Sequence, residues 1–127
     1  MRQIKFRGKS LKNKKWVYGD LMRNICATRI VRYKETDNES VQRADWDYIE
    51  VDDSTVGQFT GLTDRNGKEV YEGDIVRYID ANDEPKTSEV RFVDAAFSPL
   101  TEIMWMGDME CEVIGNIFDN RNLIEHD

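Results

Sequence analysis

Lys5, Arg7, Lys9, Lys12, Lys14 and Lys15 crowd the opening of the chain, and Trp16 and Tyr18 follow them directly. Cations interleaved with aromatic rings suit one chemistry well: the charges neutralise a phosphate backbone while the rings stack on bases. The same side chains also suit a protein partner, because polarised charge steers docking onto a complementary surface. Residues 1–34 carry eleven Lys and Arg against the single acid Asp20, a charge of +10, and residues 35–127 carry seven against twenty-four acids, a charge of −17; together they make the net −7. A basic sheet lying beside acidic strands would account for this split through solvated ion pairs of little individual worth. The acidic remainder would also repel nucleic acid at longer range.

The stretch Asp45-Trp46-Asp47-Tyr48-Ile49-Glu50-Val51-Asp52-Asp53 suggests the opposite use, a row of carboxylates imitating DNA, with Asp45 and Asp47 on one face of a strand. A strand edge blunted by charge explains the same residues.

Catalytic and metal chemistry finds no foothold. The one histidine, His126, lies one residue from the end, so no positioned imidazole is available for a nucleophilic triad. Cys26 and Cys111 lie 85 positions apart outside any CxxC pair, which predicts buried or incidental thiols in a reducing compartment and no zinc site. Two stretches approach calcium loops. Around Asp64, Asn66 and Glu69 the glycine falls at the fourth position instead of the sixth, and after Asp80, Asn82 and Glu84 comes Pro85 where glycine is required. Gly-rich phosphate loops are absent, and carboxylate pairs are too plentiful to mark a dyad. Gln58, Tyr71 and Asp74 read as residues that satisfy turn amides and pack a ring. No enzyme, metal or cofactor is expected.

The elements that must position the basic face are strands. Residues 2–7 alternate, with Ile4 and Phe6 inward, and the polar connector Ser10–Lys15 leads into a second strand at Trp16–Met22 that closes a hairpin with the first. Further strand signals fall at 25–33, 46–51, 75–79, 89–93, 101–106 and 112–114, with polar loops at 34–44 and 81–86. Asp64-Arg65-Asn66-Gly67 and Glu72-Gly73-Asp74 read as turns. No helix longer than about two turns, no repeat and no heptad is present, and the longest apolar run, Ile103–Met106, cannot span a bilayer. The opening residues lack the apolar core of a signal peptide, so a cytoplasmic protein is expected.

The segment from Val56 to Val76, with four of the chain's eight glycines, resembles the signature of the YopX family, as do the opening Ile4-Lys5-Phe6-Arg7 with Trp16 and the closing Ile114-Gly115-Asn116-Ile117-Phe118. The resemblance covers nearly the whole chain; Arg121 departs from it, standing where similar proteins often carry proline. It implies a phage or prophage origin and a compact β fold, and it supplies no catalytic residues.

The expected architecture is all-β or mainly β, in two small packed lobes. Residues 1–55 form an N-terminal β lobe with the basic face, and residues 56–127 a partly open, SH3-like barrel carrying the signature. The expected function is a non-enzymatic accessory or adaptor that binds a host or phage protein through Lys5, Arg7, Lys9, Lys12, Lys14, Lys15, Trp16 and Tyr18. A nucleic-acid-binding module using that face is the alternative. A third reading, a small hydrolase or ligand-binding barrel, needs a concave pocket with converging polar groups. Symmetric assembly through exposed strand edges is left open.

Overall fold

The computed structural model of the chain describes residues 4–33, 46–93, 95–100, 103 and 110–124. It is mainly β, as the alternating patterns predict, and divides into two compact units, residues 1–58 and 59–127.

In the first unit, β1 (Phe6–Lys9), β2 (Trp16–Arg23), β3 (Thr28–Tyr33) and β4 (Trp46–Glu50) form an antiparallel meander, each strand pairing with the next. The start of β5 (Gly57–Thr63) lies along the other side of β1, with Gly57 opposite Arg7 and Gln58 opposite Phe6. The two-residue period of a strand sends Val17, Leu21, Ile30 and Ile49 to one face, where they meet Phe6, Val51 and Val56 in a single core. Ser10 bridges Val51, so the end of β1 meets the end of β4: Leu11 N–H donates to the Glu50 carbonyl at 3.1 Å and Asp52 N–H to the Lys9 carbonyl at 2.9 Å. The meander therefore curls back on itself at that end. Gly19 permits the close approach of β2 to β3, because a Cβ there would overlap the Val31 carbonyl oxygen. Within the strand expected over residues 2–7, pairing with β2 and β5 begins at Phe6, and Ile4, expected inward, is 62% exposed.

The second unit centres on β7 (Asp74–Ile79), flanked by β11 (Glu112–Asn116) and β8 (Pro85–Glu89). The rest of β5 pairs with β6 (Glu69–Tyr71), and β9 (Arg91–Val93) with β10 (Ala96–Ser98). Val70, Val76, Val90, Leu100, Ile103, Cys111 and Val113 form its core. These ladders are separate among the described residues, so the SH3-like barrel is not confirmed. Two local expectations are corrected. The segment expected as a loop at 81–86 yields at Pro85 to β8, an outer strand where a residue without N–H is tolerated. Ile103, expected in a strand, sits in a helical turn and donates its N–H to the Pro99 carbonyl at 3.1 Å. The polar loop 34–44 lies outside the described residues, as does the remainder of the expected strand 101–106.

The signature segment is a backbone lattice. Gly67 (φ +81°) closes the Asp64–Lys68 turn, and Gly73 (φ +93°) makes the Tyr71–Asp74 turn. Around that second turn, Gly73 N–H donates to the Val90 carbonyl, Val90 N–H to the Asp74 carbonyl and Ile117 N–H to the Gly73 carbonyl, all between 2.8 and 2.9 Å.

Candidate interaction face

The β1–β2 register sets Arg7 opposite Tyr18 and Lys9 opposite Trp16. Residues directly opposite share a face, so these four project together from the side of the sheet away from Phe6 and Val17. The remaining registers extend the face. Asp20 stands opposite Val31 and Val31 opposite Tyr48, while Met22 stands opposite Arg29 and Arg29 opposite Glu50. Lys5, one step before β1, shares the parity of Arg7 and is half-buried.

The cations on this face are not equivalent. The Arg7 guanidinium lies 4.5 Å from the centre of the Trp16 ring and the Lys9 ammonium 5.5 Å from it, both over the ring. Such contacts contribute about 0.5–2 kcal/mol, more as they are desolvated. Arg7 is only 5% exposed, which places its charge within the sheet's own packing. Tyr18, by contrast, is 44% exposed and Tyr48 43%.

Lys12, Lys14 and Lys15 are exposed on the loop joining β1 and β2. The loop is held by its own backbone: Ser10 N–H donates to the Lys15 carbonyl and Lys14 N–H to the Ser10 carbonyl, both at 2.9 Å. Ser10 Oγ accepts from Lys12 N–H at 3.2 Å and Asn13 Oδ1 from Lys15 N–H at 3.0 Å. Beside this loop Ser10, Leu11, Lys12, Tyr48, Ile49 and Glu50 line a cleft of about 470 Å³. Tyr48 and Leu11 were absent from the face as read in sequence. The shared parity of Trp46, Tyr48 and Glu50 marks them as one face of a strand, but only the β3–β4 register brings that face beside Tyr18's.

Within the acidic stretch, the carboxylates of Asp47, Asp52 and Asp53 have partners inside the first unit. Asp47 pairs with Arg32 at 3.6 Å, and Asp53 pairs with Arg23 at 2.8 Å while accepting from Thr28 Oγ1 at 2.6 Å. The Thr28 hydroxyl outweighs the opposing effect of desolvation and, with the Arg23 charge adding to it, holds the Asp53 carboxyl below its usual range. Asp52 accepts from the Ser54 hydroxyl and N–H. Asp45 lies outside the described residues. Arg23 and Arg32 thus join the basic N-terminal segment to the acidic one within the first unit.

In the second unit both calcium-like stretches are hairpin turns whose leading aspartate accepts backbone amides. Asp80 takes the N–H groups of Asn82 and Glu84, each at 2.9 Å. Asp64, 6% exposed, takes those of Asn66 at 2.8 Å and Lys68 at 2.9 Å on one oxygen and that of Val113 at 2.9 Å on the other. Burial alone would push the Asp64 carboxyl up, and the amides of Val113, Lys68 and Asn66 outweigh it, holding the group below its usual range. Tyr71 packs on Phe59 with ring centres 5.4 Å apart, and its N–H donates to Asp74 Oδ2 at 2.7 Å. Gln58 is half-buried beside them in sequence, at the end of the first unit. Cys26 is exposed in the β2–β3 turn; Cys111 is buried, and burial followed by the Asp64 charge pushes its thiol up. His126 lies outside the described residues.

A family model described as YopX protein matches residues 5–125. Among solved structures, the chain is similar to "Crystal structure of protein EF1440 from Enterococcus faecalis", at 21% identity over 98% of this chain and 100% of that chain, with a TM-score of 0.58, a likeness of fold alone. No curated protein matches it. Among the described residues no helix is long and apolar enough to cross a membrane.

Proposed function

The chain belongs to the YopX family, and from that premise we propose a non-enzymatic, protein-binding accessory protein of phage or prophage origin. It works in the host cytoplasm and docks a host or phage protein on the outer face of its first unit. One observation carries this reading: Arg7 is packed against Trp16 at 5% exposure, while Tyr18 and Tyr48 stand out at 44% and 43%. A phosphate-binding face keeps its cations outermost, where they displace counterions. A protein interface presents tyrosine and tryptophan as rigid anchors and leaves charge to the rim. Lys12, Lys14 and Lys15 are such a rim, suited to steering an acidic partner.

Replacing Lys12, Lys14 and Lys15 together with Glu tests it. All three are exposed, so the melting curve is expected to stay put, while association with the partner slows on the order of 10–100-fold at low salt. Arg7 is left out of the set, because reversing a buried charge would report on folding instead. The assay is capture from host lysate by tagged protein, with and without nuclease. A stoichiometric protein retained after nuclease and lost by the triple variant supports the reading. The three exposed lysines beside aromatic rings also favour a second reading, single-stranded nucleic acid; capture that disappears with nuclease, with affinity falling steeply in salt, would put it first.

A further inference from the structure

We propose that the outer edge of β4, at Tyr48 and Glu50, takes up an extended acidic segment of the partner as an added strand, a deepening that rests on the protein-binding reading above. The ladder itself identifies the groups that would pair. Val51 N–H donates to the Thr28 carbonyl at 2.9 Å, which makes Thr28 and Val51 a hydrogen-bonded pair. Bonded and non-bonded pairs alternate along antiparallel strands, so Ile49 bonds to Ile30 while Glu50, opposite Arg29, and Tyr48, opposite Val31, turn their N–H and carbonyl groups away from β3. β4 is an outermost strand of its sheet, and nothing among the described residues pairs with the outward groups of Tyr48.

The chain has already formed the first rung of such an addition. The outward carbonyl of Glu50 is taken by Leu11 N–H at 3.1 Å, after which the chain turns off into the lysine loop. A foreign strand would continue where Leu11 leaves. The cleft of about 470 Å³ opens at that place, with Leu11 and Ile49 offering apolar wall and Lys12 a cation at its rim. Strand addition draws affinity from main-chain hydrogen bonds and specificity from alternate side chains. Here an apolar residue would lie beside Tyr48 and Leu11 on the outer face, and a neighbouring carboxylate would face Lys12, with Lys14 and Lys15 behind it. The complementary partner is therefore an acidic, extended peptide.

The test titrates the isotope-labelled full chain with an acetylated octapeptide of alternating valine and aspartate, followed by backbone NMR. Shifts are expected at the amides of Leu11, Lys12, Tyr48 and Glu50. Binding is expected to weaken at least tenfold when alternate peptide amides are N-methylated, when aspartate is exchanged for lysine, and in Lys12→Glu. Glu50→Pro removes an outward N–H that the β3 ladder does not use, so it is expected to keep its melting temperature and lose the peptide. Absent shifts at millimolar peptide, or equal binding of the methylated or lysine peptides, overturn the proposal. So does a concentration-dependent dimer that moves the same amides without peptide, since the occupant would then be a second copy. Undiminished lysate capture by Glu50→Pro overturns the edge alone and leaves docking on the outer face standing; capture lost only in the triple lysine variant does the same.

Discussion

Asp64→Ala is expected to lower unfolding stability by roughly 3 kcal/mol or more in a urea melt, enough to remove much of the margin of a small domain. The carboxylate is buried and receives three backbone N–H groups, from Asn66, Lys68 and Val113. Alanine strands the buried Val113 donor, at about 1–3 kcal/mol, and removes the charge-assisted bonds of the part-buried Asn66 and Lys68 amides. The contact from Val113 also ties the signature turn to β11, reinforced by Arg65 N–H donating to the Cys111 carbonyl at 2.9 Å. One side chain therefore holds both the signature turn and its tie to β11. The pH dependence has a definite sign. A carboxyl held below its unfolded value stabilises fully above that value, about 3.9, and the contribution is lost as pH falls through the folded-state value. Asp64→Asn should thus differ most from wild type at neutral pH and converge with it in strong acid. A stability difference that stays constant down the acid limb would contradict this role.

Gly19→Ala is expected to cost about 3 kcal/mol, the upper end for overpacking and well above Gly8→Ala in the same unit. The new Cβ would overlap the Val31 carbonyl oxygen and lie 3.1 Å from its carbon, so the backbone of β3 must move. Gly8→Ala is the control. Its Cβ would meet Val51 Cγ2 at 2.9 Å and Cβ at 3.0 Å, so the buried valine must shift, but no backbone atom is overlapped and the cost is smaller. Thermal melts of both variants should rank Gly19→Ala well below Gly8→Ala. The reverse order would mean that the β2–β3 crossing is not what the glycine protects.

Legibility in the sequence followed the range of the forces involved. The Asn66-Gly67 turn and the strand at Trp16–Met22 could be read directly, because positive φ and two-residue alternation are local. Asp64 could not, since its decisive donor, Val113, is 49 residues away. β8 was hidden because a strand at the edge of its sheet needs no apolar alternation, and Pro85-Lys86-Thr87 reads as loop. Ile103 was misplaced because a short apolar run fits strand and buried helix equally well. On the candidate face, the alternation of Lys5, Arg7 and Lys9 told which residues cluster. Composition could not tell that Trp16 would lie beneath two of the cations, or that Tyr48 would join them through β3.

The docking account turns on which surface a partner covers. Hydrogen–deuterium exchange of the complex recovered after nuclease treatment, compared with the protein alone, reads that surface directly. The account predicts slowed exchange in peptides spanning residues 9–18 and 46–50, with residues 64–79 unchanged. Protection confined to the second unit, with the lysine loop and β4 exchanging as before, would contradict it.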